Sequence, residues 1–166
     1  DIVADKANSI GMPYITERWP GGMLTNFATI RKAVKKMGMI DRMKKDGSYD
    51  ALSKREKLQI SRLRAKLEKN LGSIVEMTRI PGALLVVDIK REHIAVAEAK
   101  LNIPIFAMVD TNSDPRPIDF VIPSNDDASK SIEKVLTYLT DAIGEGLSER
   151  KNNKDIKEEV SSSETE

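Results

Sequence analysis

Five carboxylates and one imidazole stand where chemistry could be done. Asp88 and Asp110 each follow an apolar run of strand length, "PGALLVVD" and "IPIFAMVD", and Asp119, Asp126 and Asp127 come soon after the second. In parallel α/β sheets ligands bind beyond the carboxyl ends of the strands, so paired strand-end aspartates could hold Mg²⁺ or accept a phosphoryl group. The commoner use of an Asp there is to stop the strand and cap the next turn. His93, the only histidine, falls early in the helical stretch between the two runs; with no nucleophile motif beside it, it reads as a surface or packing residue rather than a base. The third candidate is "RWPGGMLTN" (18–26), whose glycines precede a helix as they do in phosphate-binding loops. Its spacing fits neither G-x-G-x-x-G nor G-x-x-x-x-G-K-[ST].

Any of these residues would have to be positioned by an α/β framework. The two apolar runs are separated by "IKREHIAVAEAKLN", a helix of about three turns, which makes a βαβ unit. A third extended run, "IDFVIP", follows a Pro-rich turn. A long helix then starts at "NDDASK" and carries Ile132, Val135, Leu136, Leu139 and Ile143 on one face. The predicted core is a parallel sheet with flanking helices. The first residues, "DIVADKANSIGMPYITERW", read as a helix end followed by a short strand, and a further N-terminal piece is expected before them.

Charge is distributed unevenly. The net charge is +1, yet Arg31 to Arg79 hold 15 Lys and Arg against 6 Asp and Glu, a balance of +9, whereas the remainder holds 12 against 20, a balance of −8. Such a division points to a polyanion-binding segment carried by an acidic domain. Within it Phe27, Ile30, Val34, Met37, Ile40 and Met43 recur at helical spacing up to "KKDG" (44–47), a helix end with a Gly cap. A second helix opens at Ser53, with Glu56 placed for a capping box, and continues through Ile60, Leu63, Leu67, Leu71 and Ile74. Two helices of about 20 residues joined by "DGSYD" form an antiparallel coiled-coil hairpin about 30 Å long. The apolar stripes pack against each other, which leaves Arg31, Lys32, Lys35, Lys36, Arg42, Lys44, Lys54, Arg55, Arg62, Arg64, Lys66 and Lys69 as a cationic rod suited to tracking phosphates. "RWPGG" then reads as the hinge that turns the chain into the hairpin. Trp19 packs at the joint, Gly21 and Gly22 permit the turn, and Arg18, Thr25 and Asn26 face RNA or, for the latter two, cap the helix.

Several classes are excluded. Cys is absent, so disulfides and thiolate chemistry are ruled out, as suits a reducing cytoplasm, and no apolar run approaches the roughly 20 residues that cross a bilayer. With 40% hydrophobic and 32% charged residues, the chain is rich enough in apolar side chains for one core plus an added element. The expected organisation is an α/β domain over 1–23 and 78–148, a basic hairpin over 24–77 and a disordered polar tail over 149–166.

In order and spacing, "RWPGGMLTN", "IPGALLVVD", "EHIAVAEA", "NIPIFAMVDTNSDP" and "DFVIPSNDDA" closely resemble the bacterial small-subunit ribosomal protein family S-two, from about Met12 to Leu147. The resemblance implies a three-layer α/β sandwich with a mostly parallel, flavodoxin- or Rossmann-like sheet, interrupted by a projecting coiled-coil hairpin. It also implies a ribosome-bound role on small-subunit ribosomal RNA beside neighbouring proteins, among them the mRNA-binding protein S-one. No catalysis, cofactor, metal or small-molecule substrate goes with it. Against the family pattern two departures are expected: a missing N-terminal portion, which would leave the sheet incomplete with apolar surface exposed, and one residue fewer after Glu98. The latter would rotate the helix end, and so Lys100 to Asn102, by about 100° relative to the next strand.

Overall fold

The computed structural model describes residues 1–163, with side chains described to Asn153. Helix α1 (Ile2–Ser9) is followed by an extended stretch that pairs with no strand, contrary to the short strand expected there. Pro13 and Pro20, which lack N–H donors, punctuate it. Then come α2 (Phe27–Lys45), α3 (Lys54–Leu71) and a 3₁₀ turn (Gly72–Ile74). Strand β1 (Leu84–Val87), α4 (His93–Ala99), β2 (Ile105–Val109), β3 (Phe120–Pro123) and α5 (Ser129–Ser163) complete the order.

The sheet has three strands in the order β1-β2-β3, all parallel, with Leu84 opposite Ile105 and Phe106 opposite Phe120. Since side chains alternate between faces, Leu84, Val86, Ile105, Ala107 and Val109 share one face. Val86, Ile105, Ala107 and Val109 join Val96 and Ala99 of α4 in the core. The other face holds fully buried Met108 but is open at one end, where Leu85 and Phe120 are exposed and the Phe106 and Phe120 rings stack with centroids 4.3 Å apart.

The expected helix between the strands is shorter than three turns. Asp88 adopts a left-handed backbone, φ +65°, and turns the chain so that α4 begins only at His93. After Ala99 the amides of Asn102 and Ile103 both donate to the Ala99 carbonyl, at 3.1 and 2.9 Å, and Lys100 to Asn102 form an exposed turn into β2.

Helices α2 and α3 run antiparallel. The Arg64 guanidinium bonds Asp41 at 2.7 and 3.3 Å, the Tyr49 hydroxyl donates to the Lys57 carbonyl near the turn, and Arg31 reaches the segment after the 3₁₀ turn. Gly47 has φ +80° just beyond α2, and the Ser53–Glu56 capping box starts α3, both as read from the sequence. The core, however, crosses the boundaries expected at 23/24 and 77/78. Leu24, Ile30, Val34, Leu71 and Ile74 belong to one apolar cluster with Val86 and Ile105, so the helical pair is rooted in the sheet domain. Burial of these side chains stabilises the joint by about 1.5–3 kcal/mol each.

The polar stretch from 149 does not leave the helix: α5 continues to Ser163, and no Gly or Pro interrupts it after Gly146. Residues 164–166 of the expected tail lie outside the described residues.

Candidate functional site

The glycine loop does cradle an anion, and that anion is a side chain of the same chain. Glu98, near the end of α4, presents its carboxylate to the loop before α2. Its Oε1 accepts the Gly22 amide at 2.7 Å and the Trp19 indole N–H at 3.4 Å; its Oε2 accepts the Leu24 amide at 2.9 Å and both the amide and hydroxyl of Thr25 at 3.4 Å. Gly22 makes this possible. Its φ is +84°, which a Cβ disfavours, and a Cβ there would stand 3.3 Å from the Cβ of Asn26. Gly21 has an ordinary φ and open space where a Cβ would go, so the conformational demand attributed to both glycines falls on Gly22 alone. Burial opposes the ionised form of Glu98, but the converging donors outweigh it and hold the carboxyl below its ordinary value. Sequence reasoning missed Glu98. The available signal was a helix-preceding glycine turn with no phosphate-motif spacing, which leaves an internal carboxylate as the anion.

Around this lock the other root residues take different places. Half-buried Trp19 packs against the core, and Asn26 occupies the N-cap of α2 without a capping bond from its side chain, which instead accepts from the Thr29 hydroxyl at 2.9 Å. Arg18 is exposed beside a recess of about 410 Å³ that it lines with Trp19, Pro20, Gly21, Asn70 and Ile94.

The structure divides the cationic rod in two. Arg31 donates to the carbonyls of Val75 and Met77 at 3.3 and 2.8 Å, and Arg64 pairs with Asp41 and Glu68; these two guanidiniums hold the helices in place. Lys69 meets Glu17 at 3.4 Å, and Lys44 lies 5.6 Å over the Tyr49 ring. Lys32, Lys35, Lys36, Arg42, Arg62 and Lys66 are exposed and form no ion pair among the described residues. These cations are spread along two antiparallel helices, an arrangement of charge that suits a polyanion.

The strand-end aspartates separate as well. Asp88 Oδ1 accepts the Arg91 amide at 3.0 Å in the turn after β1, and Asp119 Oδ2 accepts the amide of Ile105, the first residue of β2, at 2.8 Å, so each carboxylate serves a backbone amide. Asp110, Asp126 and Asp127 bring carboxylate oxygens within 4.8 Å of one another at the carboxyl end of the sheet, a geometry able to hold a cation. Asp126 is buried with Oδ2 unpartnered. Its burial, then the carboxylates of Asp88, Asp110 and Asp127, push its carboxyl above the ordinary value. Asp127 and Ala128 donate instead to Asn125 Oδ1, at 2.9 and 2.8 Å, so Asn125 caps the turn into α5 where acidic caps were expected. Among the described residues, exposed His93 makes one hydrogen bond, from Nδ1 to the Lys90 carbonyl at 3.3 Å, and stands in no such cluster.

These features define a parallel α/β domain bearing a cationic helical pair whose root is keyed by an internal carboxylate. The chain belongs to the family described as Ribosomal protein S2, whose model matches residues 1–146. It is similar to the small ribosomal subunit protein uS2 of Flavobacterium johnsoniae, with 71% identity over 94% of this chain and 62% of the relative. With that of Christiangramia forsetii identity is 73% over 92% of this chain and 51% of the relative, and with that of Parabacteroides distasonis 68% over 92% and 55%. The chain thus spans about half to three fifths of the length of these curated relatives. Among the described residues no helix is long and apolar enough to cross a membrane.

Proposed function

We propose that this chain is a structural component of the small ribosomal subunit that docks on ribosomal RNA through the α2–α3 pair, acting as a projecting coiled-coil arm. The observation that carries this reading is the segregation of charge, +9 between Arg31 and Arg79 against −8 elsewhere, together with the exposed unpaired cations of the arm. Phosphate contacts from such helices position a protein without reading sequence, because the deep groove of A-form RNA does not admit a helix. The membership of the family and the printed names of the relatives support the same reading. The acidic α/β domain, ill suited to a polyanion, would face neighbouring ribosomal proteins, the mRNA-binding protein S-one among them, and the chain would reside on the ribosome in the cytoplasm.

The reading includes no catalysis and no small-molecule substrate. Co-sedimentation of the full chain with small subunits at graded salt tests the proposal. Association that weakens with salt, and is reduced when Lys32, Lys35 and Lys36 are replaced by Ala, is expected; association indifferent to those replacements would overturn it.

A further inference from the structure

The recess at the root of the arm has the make-up of a binding pocket. About 410 Å³ falls within the range of small-ligand clefts, roughly 300–1,000 Å³. It is lined by three segments that meet only in the fold: Arg18 to Gly21, Asn70 at the end of α3, and Ile94 at the start of α4. Trp19, Pro20 and Ile94 supply flat or apolar surface. The Trp19 indole N–H is held by Glu98, so the ring is fixed in orientation and its remaining contribution is stacking. Asn70 and Arg18 supply polar groups, and neither side chain makes a hydrogen bond or ion pair among the described residues. Gly21 contributes no side chain to obstruct the space.

An aromatic plane, an amide able both to donate and to accept, and a guanidinium together match an unstacked nucleobase and its phosphate. The recess is continuous with α3, which bears Lys66 and Lys69 one turn and less before Asn70. Resting on the RNA-docking reading above, we propose that this recess receives one unpaired base of the RNA whose backbone the arm holds. The arm supplies affinity through phosphates, and the recess fixes register along the strand by admitting a base that is not paired.

The chain has a single tryptophan, so its emission reports on the recess alone. The full chain is titrated with a labelled short oligoadenylate and with an abasic ribose-phosphate strand of equal length, following label anisotropy and Trp19 emission together. Both strands should bind with salt-dependent affinity, and only the oligoadenylate should quench Trp19, saturating in step with anisotropy. Gly21→Leu, at a position with ordinary φ and room for a Cβ, fills the recess; it should abolish quenching and weaken oligoadenylate roughly tenfold while leaving the abasic strand unaffected. Asn70→Ala, which leaves the loop untouched, should weaken oligoadenylate in the same selective way. Binding without quenching, or equal quenching by the abasic strand, would overturn the recess while the arm stands. If neither strand binds, both readings fall.

Discussion

Replacing Glu98 by Gln should uncouple the arm from the domain that carries it. In the native loop one carboxylate accepts from three backbone amides, one hydroxyl and one indole, with Gly22 and Leu24 closest at 2.7 and 2.9 Å. A Gln amide fits the space but turns one acceptor oxygen into a donor that must face the amide of Gly22 or of Leu24. Hydrogen bonds to a charged acceptor are worth roughly 1.5–3 kcal/mol, and leaving a buried amide unsatisfied costs about 1–3 kcal/mol, so loss of one strong contact and weakening of the other gives about 3 kcal/mol. The pH dependence supplies the control. Because the folded Glu98 carboxyl lies below its ordinary 4.5, its stabilisation is complete above that value and disappears as pH falls through the folded pKa. Urea unfolding of both proteins across that range should show a gap of about 3 kcal/mol near neutrality that narrows in acid, where the native Glu98 is itself protonated. A gap below about 0.5 kcal/mol, or one of equal size at every pH, would refute the account of the loop as a carboxylate cradle.

Other substitutions probe the remaining parts of the molecule. Gly22→Ala should cost about 1–2 kcal/mol because of the positive φ and the close Asn26, whereas Gly21→Ala should fall within about 0.5 kcal/mol of the parent in the same unfolding assay. Asp126→Asn should stabilise the protein by about 1 kcal/mol at neutral pH without added divalent cations. The folded Asp126 carboxyl lies above its ordinary 3.8, so the native protein loses stability as pH rises through that raised value, and the benefit of Asn should vanish in acid. Ser53→Ala should cost about 1 kcal/mol through loss of the α3 cap, with the helical signal in circular dichroism reduced at the hairpin.

Much of the fold was legible in residue patterns because those patterns are local. Continuous apolar runs of strand length placed the strands around Val86 and Ala107, 3.6-residue periodicity placed the two long helices, and the Ser53 box and Gly47 marked helix ends through their own short-range chemistry. Contacts distant in sequence were not legible. Nothing local in "EHIAVAEA" shows that Glu98 serves Gly22, 76 residues away, nor that Arg31 and Arg64 serve carbonyls and carboxylates instead of solvent. The shared core of Leu24 and Val86 was hidden for the same reason: periodicity tells which face is apolar and not what covers it.

The central claim is that the cations of the arm hold RNA by its phosphates. The most direct test is the slope of log affinity for small-subunit ribosomal RNA against log salt, measured for the full chain and for a variant with Lys32, Lys35, Lys36, Arg62 and Lys66 replaced by Ala. Each phosphate contact contributes roughly 0.7–0.9 to the slope. The account predicts a steep slope for the parent, shallower in the variant by about 3.5 to 4.5, with the fold intact by circular dichroism. Equal slopes for the two proteins would contradict it.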